Sequence, residues 1–416
     1  MAESSSSSSD GGGSGPTTTD TATSAPTNTS ARPRPVHILF VGAGAVGCFY
    51  ASRLHHPAHD VHVSLTARSN YPAIASSGVA LQTRSFGDYT FRPHAVFPSA
   101  SAAVPGGNND DDDNNGRQRR RGRGPSPPAD GWDYVVVTTK ALPDRADDAA
   151  LIAPLVSPAR TCIVLIQNGV GVEAPYRARF PRNPVVSAVT VISAEQTAPG
   201  VVRQNRWTRI SLGPYAYGLE GRGGDGGGSK EKEKGEGGEE ESALLAARGR
   251  ECMEQLARWW GPGWGGIRDV ETHDERALQT IRWHKLCINA AFNPTAVLCG
   301  GRGNAEQLTD PELRRHVAAV MAEIWDAAPR VLGAPLPEGL ATPERIIAST
   351  ERNAGARPSM LLDWEAGRPM ELEVILGNPV RIARRAGVEM PRLQSMYALL
   401  RSMQATRERA RGKERL

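Results

Sequence analysis

The chain has 416 residues, of which 39% are hydrophobic, and this is enough to bury a large core, so we expect two domains. Its formal net charge of +4 is too small to indicate nucleic-acid binding. No apolar run approaches the roughly 18 residues that span a bilayer, and five widely spaced cysteines without a CxxC pair favour reduced thiols over disulfides or a metal site. We therefore expect a cytoplasmic protein that binds no metal, no nucleic acid and no membrane.

Three segments are too polar to contribute to a core. Residues 1–33 are mostly Ser, Thr, Gly and Pro, which predicts a disordered tail. Residues 99–130 and 219–241 are of low complexity and highly charged, which predicts two surface insertions. The first insertion carries an arginine cluster that could also serve as a nuclear address or an RNA-binding patch, but the acidic run beside it favours a solvated surface. The runs are Asp110 to Asp113 and Arg117, Arg119, Arg120, Arg121 and Arg123.

A glycine fingerprint follows the first strong strand signal. The apolar run Val36–Val41 predicts a buried strand, which leads into a GxGxxG motif and a helix. A second strand, Val61–Thr66, follows at the spacing of a dinucleotide-binding βαβ unit. In such a unit the glycines permit a tight turn, close approach of the pyrophosphate and close helix packing, while the helix N-terminus attracts phosphates. The alternative interpretation is a glycine turn in an unrelated α/β fold. The motif consists of Gly42, Ala43, Gly44, Ala45, Val46 and Gly47.

The cofactor preference is indicated after the second strand. An NAD enzyme places an acidic residue there to hold the ribose 2′-hydroxyl, whereas this chain has Ala67-Arg68-Ser69-Asn70. Arg68 can pair with the 2′-phosphate of NADP, and Ser69 or Asn70 can add hydrogen-bond donors. The sequence therefore favours NADP(H), with a solvated loop arginine as the alternative.

Two later strands are each followed by a polar residue. Residues 132–140 and 161–168 both begin as buried strands, and they end in Lys140 and Asn168. Open α/β sheets bind ligands at the carboxyl ends of their strands, so we expect both side chains beside the cofactor crevice. Taken singly, each could be a solvent-facing strand-end residue or a turn asparagine.

Three polar side chains share one face of an otherwise apolar helix. Lys285, Asn289 and Asn293 are spaced at i, i+4 and i+8 in a helix predicted over residues 273–297. Such groups must be hydrogen-bonded or face a wet cleft, because an unpaired buried polar group costs about 1–3 kcal/mol. They form either an inter-domain hydrogen-bond seam or part of an active site. Pro294 removes a helical hydrogen bond, so we expect the helix to kink or end beside Asn293.

The remainder of the chain is predicted to be helical. We therefore expect an α/β protein with an N-terminal Rossmann-type dinucleotide-binding domain, residues 34–272, and an all-α C-terminal domain, residues 273–410, that carries substrate-binding and catalytic residues. The predicted helices after residue 297 cover about residues 309–333, 342–352, 359–366, 371–386 and 392–409.

In their order along the chain, these motifs resemble those of the ketopantoate reductase (2-dehydropantoate 2-reductase) family. The resemblance covers residues 36–405 apart from the two insertions, and it rests on the glycine fingerprint, Lys140 and three further motifs. These are Gln167-Asn168-Gly169-Val170-Gly171, then Lys285-Leu286-Cys287-Ile288-Asn289-Ala290-Ala291-Phe292-Asn293-Pro294, and finally Pro358-Ser359-Met360-Leu361-Leu362-Asp363 followed by Glu371-Leu372-Glu373.

The resemblance implies NADPH-dependent reduction of the C2 ketone of 2-dehydropantoate to (R)-pantoate, in pantothenate and coenzyme A biosynthesis. It implies that Lys285 is the general acid and that three residues hold the substrate, namely Asn289, Asn293 and Ser359. It further implies that the cofactor and substrate cleft is lined by Lys140, Asn168 and Glu371.

Two of these residues also have plain structural interpretations. Ser359 could simply cap a helix that begins at Met360. Glu371 could be a first-turn carboxylate favoured by the helix dipole. The resemblance favours the functional interpretation of both.

A lysine suits the implied chemistry. Hydride transfer places negative charge on the ketone oxygen, so a cation with a proton to give stabilises the transition state. Burial and a second nearby cation such as Lys140 would both lower the pKa of Lys285 toward the working pH. The alternatives are a reductase of another branched 2-oxo acid, and a regulatory or scaffold protein that binds NADP without turnover. The sequence leaves the oligomeric state open, with a homodimer among the alternatives.

Overall fold

The computed structural model describes residues 34–106, 126–216 and 236–413. The predicted tail, residues 1–33, lies outside the described residues, and so does most of the two predicted insertions. Among the described helices, none combines the length and the apolar character that a bilayer span requires.

One mixed sheet of ten strands organises the first part of the described chain. The strands are β1 (Val36–Val41), β2 (Val61–Thr66), β3 (Val79–Thr83), β4 (Gly87–Phe91), β5 (Val96–Phe97), β6 (Tyr134–Val137), β7 (Cys162–Leu165), β8 (Val185–Ala198), β9 (Val201–Pro214) and β10 (Val270–Thr272). Their spatial order is β4-β3-β9-β8-β7-β6-β1-β2-β5, with β10 beside β9. The β3–β4 and β8–β9 pairs are antiparallel, and the other neighbours are parallel.

The central strands are buried on both faces, as their uninterrupted apolar sequences predict. Along β1, Ile38 and Phe40 pack into one hydrophobic core, while Leu39 and Val41 pack into a second core. Because successive side chains of a strand point to opposite faces, these two cores lie on the two sides of the sheet.

The carboxyl ends of β1, β6 and β7 lie side by side. Strand β6 pairs in parallel with β1, matching Val137 with Val41, and β7 pairs in parallel with β6, matching Leu165 with Val137. The residues that follow these three strands, including the glycine fingerprint, Lys140 and Asn168, therefore meet at one edge of the sheet.

Twelve α-helices are assigned among the described residues. They are α1 (Ala45–Ser52), α2 (Tyr71–Ser77), α3 (Asp148–Ile152), α4 (Ala174–Arg179), α5 (Glu236–Trp260), α6 (Glu275–Leu298), α7 (Asn304–Gln307), α8 (Pro311–Leu332), α9 (Pro343–Glu351), α10 (Ser359–Glu365), α11 (Asn378–Arg385) and α12 (Pro391–Lys413). A π-helical segment, Glu373–Gly377, directly precedes α11. The described residues after β10 contain helices and no strand, which confirms the predicted α/β fold class with a helical second part.

A third hydrophobic core joins the helices to the sheet edge. It is built mainly from α6, α8, α12 and the π-helical segment, with Trp283 and Phe292 fully buried within it. Ala141 and Val170, which follow β6 and β7, belong to the same core. The helical part is thus packed directly over the strand ends where the polar residues lie.

Helix α6 is longer than its proline suggested. Asp274 caps its N-terminus by accepting a hydrogen bond of 2.8 Å from the Ala277 backbone N–H. Of the two expected outcomes beside Asn293, a kink or an end, the end is wrong, since the helix continues through Pro294 to Leu298. Phe292 and Ala296 are fully buried beside the proline, and this packing offsets the one helical hydrogen bond that the proline removes.

One other boundary differs from its prediction. Helix α5 begins at Glu236, so residues 236–241 of the predicted insertion are helical. Strand β10 pairs with β9, and Ile267, shortly before it, is fully buried in the core beneath the sheet.

Candidate active site

The glycine loop after β1 has the geometry that its sequence predicts. Gly42 adopts φ +114°, which side chains rarely tolerate, and its N–H donates to the Thr66 hydroxyl over 3.3 Å. A Cβ on Gly47 would lie 2.3 Å from the Gly42 carbonyl oxygen, so only glycine lets α1 pack this closely. A Cβ on Gly44 would meet nothing within 4 Å, which leaves room for a ligand to approach the backbone.

The N-terminus of α1 suits an anionic ligand. Gly44 is the N-cap residue, it is exposed, and no side chain caps the helix. The first backbone N–H groups of a helix have no intrahelical acceptor and carry a partial positive charge. Together with the open space at Gly44, this arrangement fits the pyrophosphate of a dinucleotide.

The loop after β2 exposes Arg68 and Ser69 but not Asn70. Asn70, one of the two residues predicted to add a donor for a 2′-phosphate, is buried and donates to the Ala43 carbonyl over 3.0 Å. Its side-chain oxygen accepts from Gln196 at 2.6 Å. Asn70 therefore holds the glycine loop in place. This role could not be predicted from the sequence, because it depends on contacts with residues that are distant along the chain.

Lys285, Asn168 and Glu371 form a connected polar group at the sheet edge. The Lys285 amine donates to the Asn168 side-chain oxygen over 2.8 Å. The Asn168 side chain also hydrogen-bonds the Glu371 carboxylate, which accepts from the Ala141 N–H at 3.1 Å. The predicted residues from β7, α6 and the segment before the π-helix are thus brought together.

Lys140, the example given above of a second cation, is not among the groups that shift the pKa of Lys285. Its amine forms an ion pair with Asp363, a carboxylate of α10 that is almost fully buried and also pairs with Arg368 at 3.0 Å. The Lys140 side chain is 41% exposed, so its amine remains within reach of a ligand at the sheet edge. The cation that acts on Lys285 is Arg282, one helical turn away on α6.

Burial and neighbouring charges shift the pKa of the Lys285 amine. The pKa of Lys285 falls from its usual 10.5 to about 8, chiefly because burial disfavours the charged amine and also because of the Arg282 guanidinium. The Glu371 carboxylate acts in the opposite direction. Burial in turn raises the pKa of Glu371, while Lys140 and the Ala141 N–H oppose that rise.

Lys285 lines a narrow cleft with a cavity volume of about 10 Å³, which is room for about one water molecule. Asn289 also lines it, but Asn293, buried further along α6, is not among the described lining residues. The structure therefore brings two of the three predicted stripe residues to the cleft. The complete lining is Gln167, Asn168, Gly169, Val189, Arg282, Lys285, Leu286 and Asn289.

Ser359 does not have the capping role of its structural interpretation, whereas Glu371 directly precedes the helical residues that begin at Leu372. Helix α10 begins at Ser359 with Pro358 as its N-cap and without a side-chain capping bond, and Ser359 is exposed. Glu371 is 5% exposed, and its carboxylate accepts from the Ala141 N–H beyond β6. Ser359 is thus no helix cap, and Glu371 is committed to the strand-end loop.

Arg282 and Glu173 belong to the site, and the sequence analysis missed both. Arg282 lines the cleft, and its Nε lies 2.9 Å from the Glu173 carboxylate in an ion pair in which both side chains are almost fully buried. The sequence contains a signal for both residues, because Arg282 lies three residues before Lys285 in an apolar helix and Glu173 lies just after the Gly171 turn. An arginine buried in such a helix needs an acidic partner, since an unpaired buried charge is costly.

The model of the ketopantoate reductase PanE/ApbA family matches residues 38–217, and the model of its C-terminal domain matches residues 277–404. An uncharacterized protein of Saccharomyces cerevisiae is 28% identical over 398 residues, which cover 90% of this chain and 95% of that protein.

Two further matches carry an enzyme name. A 2-dehydropantoate 2-reductase of a Nostoc species is 24% identical over 361 residues, which cover 87% of this chain and 93% of that protein. A crystal structure of 2-dehydropantoate 2-reductase from Methylococcus capsulatus is similar with a TM-score of 0.65 and 32% identity, covering 89% of this chain and 98% of that chain.

We predict that the Lys285 amine titrates near pH 8, because burial and Arg282 both disfavour its charged form. Competitive labelling with acetic anhydride at a series of pH values, with mass spectrometry of the Lys285 peptide, measures this pKa directly. Glu371→Gln should lower the midpoint further, since the carboxylate favours the charged amine. A midpoint near the usual 10.5 in the folded protein would contradict the assignment.

Proposed function

The chain belongs to the ketopantoate reductase PanE/ApbA family of oxidoreductases, and on that premise we propose that it reduces 2-dehydropantoate to (R)-pantoate with NADPH, a step of pantothenate and coenzyme A biosynthesis. The observation that carries the proposal is the 2.8 Å hydrogen bond from the Lys285 amine to Asn168, at a small cleft beside the strand ends. A ketone oxygen that approached this amine would meet a cationic proton donor that is already oriented by Asn168.

Lys285 is the general acid of the proposed reaction. When bound, NADPH supplies the hydride, and negative charge develops on the ketone oxygen. The Lys285 amine gives its proton to that oxygen, and a pKa of about 8 makes this transfer efficient near neutral pH. Asn168 holds the amine in place through its side-chain oxygen, so little reorientation is needed during the reaction.

Five side chains are proposed to hold the substrate around this centre. Asn289 lines the cleft on the same face of α6 as Lys285, and Asn168 lines it from the loop after β7. Glu371 accepts a hydrogen bond from the Ala141 N–H, and its place beside the nicotinamide and the substrate is assigned by family resemblance. The remaining two, Asn293 and Ser359, are assigned by family resemblance.

The proposed NADP(H) site lies next to this cleft, at the adjacent strand ends. The glycine loop from Gly42 to Gly47 and the N-terminus of α1 hold the pyrophosphate, and Arg68 pairs with the 2′-phosphate. Lys140, held by the buried Asp363, presents a positive charge at the same edge.

The substrate's identity is the first point to test. We expect the purified chain with NADPH to have a higher kcat/KM for 2-dehydropantoate than for 2-oxoisovalerate or oxaloacetate. The catalytic groups act on the ketone that all three share, so discrimination must come from the rest of the cleft. A higher kcat/KM for either of the other acids would show that 2-dehydropantoate is not the preferred substrate. The chain would then be a reductase of another 2-oxo acid.

Removing the proton donor should abolish turnover without removing the cofactor site. We expect Lys285→Ala to lower kcat by about 100-fold or more and to leave NADPH binding, measured by fluorescence titration, unchanged. Lys285→Arg is the matched control, because a guanidinium keeps the charge but does not release its proton at working pH. Equal turnover in all three proteins would refute the role of Lys285 as proton donor, whereas NADPH binding without turnover in the unmodified chain would support the regulatory alternative.

Arg68 should decide between the two nicotinamide cofactors. We expect Arg68→Asp to raise KM for NADPH by about 10-fold or more, as expected for the loss of a charge-assisted contact, and to change KM for NADH little. Arg92→Asp makes the same charge change at another exposed arginine and should alter neither value. Equal increases for NADPH and NADH would show that Arg68 does not meet the 2′-phosphate.

A further inference from the structure

The Arg282 guanidinium is the most extensively bonded buried cation near the cleft. Its Nη1 donates to two backbone carbonyls, those of Gln167 and Gly169, each over 2.9 Å. Its Nη2 donates to the Ser187 hydroxyl at 2.6 Å and to the Ala188 carbonyl at 3.2 Å. The guanidinium therefore ties α6 to both β8 and the loop after β7.

The two carbonyls that Nη1 holds flank Asn168. Asn168 is the residue whose side chain accepts from Lys285 and bonds Glu371. The same loop is held from the other side, where the Val170 N–H donates to the Val374 carbonyl over 2.9 Å. A Cβ on Gly169 would lie 2.3 Å from that carbonyl oxygen, so the loop cannot shift toward the π-helical segment. Asn168 is thus fixed between Arg282 and Val374.

The partner of Arg282 is equally constrained. The Glu173 carboxylate lies 2.9 Å from the Arg282 Nε and accepts from Ser187 at 2.7 Å and from Gln279 at 3.0 Å. Taking two charges out of water is costly, and apolar side chains of similar size would often stabilise a protein as well or better. A buried pair whose bonds surround one loop residue is better explained by the geometry that it imposes than by stability.

We propose that Arg282, oriented by Glu173, is a positioning residue for the proton donor: it fixes Asn168 through the flanking carbonyls and so aims the Lys285 amine into the cleft. This rests on the proposed function insofar as the amine donates the proton. It extends that function by assigning a role to an ion pair that does not itself need to touch the substrate.

The same guanidinium also sets the charge that Lys285 experiences. The charged groups that act on the Lys285 amine are Arg282, on its own helix, and Glu371, opposite it, while Lys140 and Asp363 act on Glu371. Removing the Arg282 charge should therefore move the pKa of Lys285 from about 8 toward 10.5. The limb of kcat/KM that falls with rising pH would move to higher pH, since the general acid must be protonated to act.

The decisive variant is Arg282→Lys, which keeps a positive charge beside Glu173 but cannot reach both loop carbonyls with a planar fork. We expect kcat to fall by about 100-fold, as for a donor misplaced by about 1 Å, with KM for NADPH unchanged. Arg276→Lys, at an exposed arginine of the same helix, is the matched control and should retain full kcat. Restoration of kcat in Arg282→Ala by added guanidinium, at concentrations far below denaturing ones, would confirm the positioning role.

A second variant tests the proposal without leaving an unpaired buried charge that could unfold the protein. The double change Glu173→Gln with Arg282→Met removes both buried charges, so no charge is left unpaired. We expect it to remain folded by circular dichroism, to lose kcat, and to show a raised Lys285 pKa by anhydride labelling. Wild-type kcat in folded Arg282→Lys, or an unchanged Lys285 titration in the folded double variant, would overturn the proposal.

The labelling experiment separates this proposal from the proposed function. It reports the Lys285 pKa whether or not any 2-oxo acid is reduced. If the wild-type chain reduced none of the three acids, the proposed function would fail, and the labelling of the double variant would still decide whether Arg282 acts on Lys285.

Discussion

The hydrogen bond between the Lys285 amine and the Asn168 side chain joins the two parts of this protein at the point where its chemistry is expected. Lys285 belongs to the long helix α6, and Asn168 follows a central strand of the sheet. Ala141 and Val170, which follow the strands, pack into the core of the helical part. The cleft therefore exists only because helices cover the strand ends, and its geometry depends on the loop that carries Asn168.

The electrostatics of the site depend on two ion pairs. Arg282 and Glu173 are both almost fully buried, whereas Lys140 is partly exposed and only its partner Asp363 is buried. Between these pairs lie Lys285 and Glu371, whose pKa values are shifted in opposite directions, both chiefly by burial. Such opposed shifts are typical of sites that hold and release protons, because burial makes the charged form of each group less favourable.

Local sequence identified the parts of the site that depend on backbone geometry. The glycine fingerprint was recognisable because its spacing follows from one turn and one helix, and Gly42 and Gly47 occupy positions that a side chain would disturb. Lys285 and Asn289 were recognisable because helical pitch alone places them on one face. The role of Asn70 could not be derived in this way, since its partners Ala43 and Gln196 come from different elements.

The sequence by itself determined the alternation of buried strands and helices, the dinucleotide fingerprint and the polar stripe of α6, because each depends on residues that are near neighbours in the chain. Only the tertiary structure decided which cation acts on Lys285. Lys140 and Arg282 were both available, and the buried carboxylates of Asp363 and Glu173 determined where each positive charge lies. The continuation of α6 beyond Pro294 also depends on tertiary packing, because burial of the residues beside the proline outweighs one missing hydrogen bond. Pairing of charges and packing of side chains between distant segments are long-range interactions, and spacing along the chain does not encode them directly.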